Sequence, residues 1–154
     1  MLLIVFGIPI TVLIHETGHA LGAVLSTKNA VARVYLGYYD DTNKVNMTMG
    51  RIHFHIVWGF GGFCWTDRIG MTKIQRFMTV AGGPTLSIIL SIILFYFFYY
   101  KPFNMYINFM FVGMFWLNLN QVIFTIIPIV YPKWWGPYGG HTSDGYKLIQ
   151  IFKE

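Results

Sequence analysis

The chain has 154 residues, of which 55% are hydrophobic, 19% aromatic and 11% charged, whereas an average soluble domain carries roughly 25% charged residues. With a mean hydropathy of +0.53, that balance excludes a disordered chain and points to one small domain whose solvent is largely lipid. The net charge of +5 comes from eleven basic and six acidic residues scattered singly, so no nucleic-acid partner is expected; the one cysteine, Cys64, excludes an internal disulfide and a CxxC metal or redox pair.

Leu2 to Leu25 is an apolar run of 24 positions, too long for the hydrophobic region of a signal peptide and without a basic start. At about 1.5 Å per residue it makes a helix of roughly 36 Å, enough to cross a hydrocarbon core of ~30 Å, with Pro9 as a site for a kink. Residues 26–76 then change character. They hold seven of the eleven basic residues, and strands are expected near Ala30–Tyr38, Val45–Met49 and Arg51–Trp58, with turns at Asp40-Asp41 and Gly50. In the last strand Ile52, Phe54 and Ile56 alternate with Arg51, His53 and His55, the pattern of a strand with one apolar and one polar face. A second apolar run, 77–100, opens on the helix-breaking Ala81-Gly82-Gly83-Pro84 and ends at Lys101-Pro102; a third, 103–127, is stopped by Pro128 and Pro132. The expected fold is therefore a mainly α membrane protein forming one domain over 1–154. It has three transmembrane helices (2–25, 77–100, 103–127), a small antiparallel β-sheet in the β-rich loop 26–76, and a C-terminal tail, 128–154. Ten of the eleven basic residues fall in 26–76 or after Val130, leaving Lys101 on the opposite side. The positive-inside rule then directs the N-terminus outward and the sheet and tail toward the cytoplasm.

The chemistry lies at His15-Glu16-Thr17-Gly18-His19. Positions i and i+4 share a helix face, so His15 and His19 can offer two imidazole nitrogens to one zinc ion, with Glu16 beside the remaining positions as a general base toward a zinc-activated water. The reaction class is peptide-bond hydrolysis. Each of these ionisable groups costs at least ~2.5 kcal/mol inside a membrane helix, which demands a functional or pairing reason. Counting back from Leu25 puts the metal roughly 9–15 Å below the cytoplasmic helix end. A catalytic zinc needs a third protein ligand and one open position. The remaining candidates are Asp40, Asp41, Asp67, Asp144, Glu154, His53, His55 and His141. Asp144, in His141-Thr-Ser-Asp-Gly145 just after the third span, is the choice; His141 is its rival, or else supports the ligands from behind or is an exposed loop residue.

At these residues the sequence resembles the site-2 protease family of intramembrane zinc metalloproteases. The likeness runs in order along nearly the whole chain: HETGH on the first helix, a sheet from Val34-Tyr-Leu-Gly37 through Ile52–Phe63 ending in Gly61-Gly62-Phe63, then Ala81-Gly-Gly-Pro84, then Ser143-Asp144-Gly145. The resemblance implies His15, His19 and Asp144 as ligands of one Zn2+ per chain and Glu16 as general base. It also implies a membrane-embedded or membrane-associated peptide substrate, and a multi-pass protein of a bacterial or archaeal cell membrane with its site toward the cytoplasm. The chain departs from the family's pattern at Ser87, where the family often has Asn, at Thr125-Ile-Ile-Pro128, where Asn-x-x-Pro is usual, and in the sixteen-residue step from Pro128 to Asp144. Asn118, Asn120 and Gln121 can supply the missing amides behind the site, or join helices to one another. A helical substrate must unwind before attack, and its exposed backbone then needs partners; Arg51–Trp58 as an edge strand, with Gly59, Gly61 and Gly62, would provide them by β-addition, or these glycines simply shape turns. A catalytically silent metal-binding scaffold and a metal transporter are the alternatives, and Glu16, unneeded in a purely structural site, discriminates among them.

Overall fold

A computed structural model describes residues 2–37, 43–67, 69–101 and 103–154; the expected strand end at Tyr38, the Asp40-Asp41 turn and Pro102 lie outside the described residues. The first helix, α1 (Leu2–Ser26), runs without interruption through Pro9. Strands β1 (Ala32–Leu36), β2 (Met47–Met49), β3 (Ile52–Ile56) and β4 (Gly62–Thr66) follow, then α2 (Lys73–Tyr100), α3 (Met105–Ile126) and the short α4 (Asp144–Lys153). At about 1.5 Å per residue, the 25, 28 and 22 residues of α1, α2 and α3 give lengths of about 38, 42 and 33 Å, against a hydrocarbon core of ~30 Å. Among the described residues these are the three helices long and apolar enough to cross a membrane. Their outer faces are apolar and exposed, with Ile88, Ile92, Phe109 and Trp116 among the side chains presented outward, consistent with a membrane protein.

Helix α2 begins four residues before the apolar run. Thr72 caps it, accepting from the Gln75 amide while the Gln75 side chain accepts from the Thr72 amide, a reciprocal pair that satisfies two otherwise orphan donors. Contrary to expectation, Ala81-Gly-Gly-Pro84 does not break this helix, which passes straight through Pro84. The two glycines serve packing instead: a β-carbon on Gly82 would overlap the carbonyl of Gly18 and one on Gly83 the ring of His19, while from the α1 side a β-carbon on Gly22 would overlap the carbonyl of Met78. Small residues thus let α1 and α2 approach backbone to backbone, the usual basis of helix association in lipid.

The sheet is mixed rather than antiparallel, with strand order β2-β3-β1-β4. β1 runs parallel to β3 and antiparallel to β4, and β2 pairs antiparallel with β3. Residues 57–61 carry the chain across the end of β1: Val57 N–H donates to Leu36, Gly37 N–H donates to Gly61 at 2.7 Å, and Gly59 packs on the Cα of Gly37. Gly37 itself has φ +83°, a conformation that side chains disfavour. That crossing is why β3 is interior and not the expected edge. Pairing rules read between sequence neighbours find the β2–β3 hairpin and miss the insertion of β1 between β3 and β4.

One face of the sheet packs on the C-terminal half of α1, where Ala20 and Val24 meet Ala32, Val34, Ile52 and Phe54. Arg51 is not a strand residue. Its guanidinium donates to the carbonyls of Val24, Thr27 (2.9 Å) and Ala30 (3.1 Å), satisfying the end of α1 with a cation where the helix dipole is negative. His55 also departs from its expected place on a polar face: it is buried, stacked on Tyr35 at 4.4 Å, with Nδ1 donating to the Asn43 carbonyl at 2.8 Å. The sheet and the site-bearing stretch of α1 thus form one packed unit.

Candidate metal centre

His15 and His19 lie one turn apart on α1 and Asp144 opens α4, yet their polar atoms converge. Nε2 of His15 is 3.1 Å from Oδ2 of Asp144, Nε2 of His19 is 3.2 Å from the same oxygen, and the two Nε2 atoms are 3.2 Å apart. Ligands on one tetrahedral zinc at about 2.0–2.1 Å stand about 3.3–3.4 Å from one another, close to the edges of this triangle. The other ring nitrogens are already engaged. His19 Nδ1–H donates to the Thr79 carbonyl at 2.9 Å, and His15 Nδ1 meets Ser87 Oγ at 2.9 Å. Such outer partners fix the ring orientation and leave Nε2 with its lone pair. Two imidazole lone pairs and a carboxylate oxygen aimed at one another call for a cation between them. His15, His19 and Asp144 therefore form a largely buried group that could hold a metal ion.

The third member is placed by a clamp at the end of α3. Ile127, in extended backbone before Pro128, ends that helix, and Ser143 ties it to α4: its Oγ donates to the Ile127 carbonyl at 2.7 Å and accepts from the amides of Ile129 and Tyr146. Gly145 completes the contact, because a β-carbon there would overlap the Ile126 carbonyl. The Asp-Gly pair thus has a packing reason: the glycine allows the helix start to come close enough for the aspartate to reach α1. Burial by itself would push the Asp144 carboxyl up. With protons rather than a metal between these atoms, the charge on His19, hydrogen bonds from the two histidines and the ammonium of Lys147, 3.1 Å from Oδ1, outweigh it and hold the carboxyl well below the usual carboxylate range.

Glu16 sits beside this group but outside it. Its side chain lies against Gly62, where an added β-carbon would come within 2.9 Å of Glu16 Cγ, and its carboxylate makes no hydrogen bond or ion pair among the described residues. Of the three glycines considered for substrate contact, Gly62 opens β4 beside Glu16 and Val12, while Gly59 and Gly61 are engaged with Gly37 in the crossing over β1. His141 is exposed, its backbone bonded to Tyr131 and Tyr138, and it lies outside the ligand group. Asn118 is fully buried and donates to the Ser87 carbonyl and to Ser91 Oγ, each at 2.7 Å, so it braces the residue that holds His15. Asn120 is exposed and donates to the Trp116 carbonyl one turn back in its own helix. Asp40 and Asp41 lie outside the described residues.

Several neighbours of this group lie outside the ligand motifs or are not legible in the sequence as its partners. Thr79, Gly83 and Ser87 recur every four residues along α2 and all are buried; this stripe is legible in the sequence as one helix face, though not as the face that grips the two histidines. Lys147 follows Asp144 by three residues and could be anticipated from helical spacing. Tyr138, whose hydroxyl accepts from the Gly62 amide at 2.8 Å, has no local signal at all. Compared with known proteins, the chain matches no family model, no curated protein and no solved structure.

Proposed function

We propose that the chain is an intramembrane zinc endopeptidase that hydrolyses a peptide bond in a membrane-associated polypeptide, at a site on the cytoplasmic side of a cell membrane. The observation that carries this reading is the placement of a free Glu16 carboxylate next to the converged His15, His19 and Asp144, within a helix long and apolar enough to cross a bilayer. A metal-holding scaffold or a carrier would use the same three ligands, but neither gives Glu16 a task. When bound, zinc supplies a Lewis acid that polarises a carbonyl and lowers the pKa of water to about 7.

The rest of the chemistry belongs to the chain. Ser87 and the Thr79 carbonyl keep the two imidazoles oriented; Lys147 holds the outer oxygen of Asp144 so that Oδ2 faces the histidines. Glu16 takes a proton at its carboxylate from the water whose oxygen bonds to the carbonyl carbon, and passes it to the departing amine as the C–N bond breaks. β4, at the edge of the sheet beside α1, is the strand to which an unwound, extended substrate would add; this replaces β3, which is flanked on both sides.

The test is purified protein with Glu16→Gln, assayed for zinc content and for cleavage of labelled casein, an unstructured substrate that needs no unwinding. Full zinc with hydrolysis lowered by about 10²–10⁴-fold is expected, the usual contribution of a positioned general base. Equal turnover in both proteins refutes the protease reading.

A further inference from the structure

The segment between α3 and α4 brings a tyrosine to the site. Residues 131 and 141 are joined by backbone hydrogen bonds, Tyr131 N–H donating to His141 and Gly140 N–H donating to Tyr131, both at 2.9 Å. Within that closed loop a single 3-10 turn, Gly136–Tyr138, presents Tyr138. Its ring stands edge-on to Tyr131 at 6.2 Å, and Tyr131 is in turn stacked on Trp135 at 5.2 Å. The hydroxyl oxygen accepts from the Gly62 amide, the same glycine that lies against Glu16. Accepting that bond uses a lone pair and leaves the hydroxyl hydrogen to be donated; among the described residues no acceptor is engaged with it. A part-buried phenol therefore stands beside the glycine that lies against Glu16, with an unspent donor.

Resting on the protease reading above, we infer that Tyr138 is a further catalytic residue, whose O–H donates to the carbonyl oxygen of the scissile peptide as negative charge develops on it. The step is a hydrogen bond, not a proton transfer: Tyr138 keeps its proton, and its bond from Gly62 fixes the oxygen while the hydrogen points to the substrate. Burial and the nearby charge of Glu16 push the phenol up to about 12, against a smaller opposing effect of the Gly62 amide, so it remains a donor throughout the working range of a protein. Preorganised donors of this kind contribute most when they are fixed before the reaction and aimed at the developing charge. A tyrosine on a braced loop meets the first condition, and its bond to Gly62, the glycine that lies against Glu16, holds it on that side of the site.

The experiment compares zinc-loaded wild type, Glu16→Gln and Tyr138→Phe in detergent. It reads zinc content, steady-state cleavage of labelled casein, and the affinity of a phosphinic peptide, whose tetrahedral anionic centre imitates the charged state. In Tyr138→Phe, kcat falls about 10²-fold, KM and zinc content hold, and phosphinate affinity falls by a similar factor. Wild-type kcat or undiminished phosphinate affinity in Tyr138→Phe, with Glu16→Gln inactive, overturns the inference and leaves the protease reading standing. Loss of zinc from Tyr138→Phe makes the residue a structural support, which also overturns it. An active Glu16→Gln removes the protease reading and the role of Tyr138 together.

Discussion

Gly83 of α2 lies directly against the imidazole of His19 in α1, so closely that a β-carbon at Gly83 would overlap the ring. The glycine that looks like a helix breaker is therefore the socket for a candidate metal ligand. Gly83→Ala should force His19 off the Thr79 carbonyl and lower zinc affinity by about 100-fold, with an overpacking cost of ~1–3 kcal/mol. Ile88→Ala, on the exposed face of the same helix, should leave zinc binding unchanged. Competition with a chelator measures both.

Ser87 holds His15 from behind, and Asn118 holds Ser87. Ser87→Ala should lower zinc affinity or activity about 10–100-fold. Asn118→Leu acts one step further out. It should cost stability by roughly 0.6–1.7 kcal/mol, the range of interhelical hydrogen bonds in membranes, whereas Asn120→Leu, on an exposed side chain bonded within its own helix, should be neutral. Unfolding of the detergent-solubilised variants, followed by circular dichroism, separates the two asparagines.

Asp144 should matter far more for metal content than His141. Asp144→Ala removes the oxygen that both imidazoles face and should strip most of the zinc, while His141→Ala alters an exposed side chain and should retain it. Elemental analysis of the two purified proteins decides the assignment: depletion in the second with full occupancy in the first would make this a site of three histidines.

The basic residues predict an orientation that labelling can read. In a Cys64→Ala background, a cysteine replacing Lys44 should react with an impermeant maleimide only after the cells are opened, and one replacing Lys101 should react in intact cells. The reverse pattern would place the sheet and Asp144 on the outer side.

The sequence by itself determined the three long apolar helices and the grouping of His15, Glu16 and His19 on α1. Runs of 20 or more apolar residues have few other solutions in water or lipid, and His15, Glu16 and His19 are set on neighbouring positions by helical spacing, which needs no partner element. Asp144 was also legible, as a carboxylate between glycines that allow tight turns just after the third apolar run, although the helix α4 that it opens reads in the sequence only as a tail. What only the tertiary structure decided is how distant segments meet. Which strands pair depends on a crossing over β1 built by Gly37, Gly59 and Gly61, a contact invisible to period-2 patterning. Whether Gly82 and Gly83 break α2 or seat α1 depends on what faces them, and the presence of Gly18 and His19 opposite turns a local weakness into a close interface. Tyr138 reaches Gly62 across 76 residues of chain; no local periodicity encodes such a pairing, because it is set by the packing of the loop that carries the tyrosine and the strand that receives it.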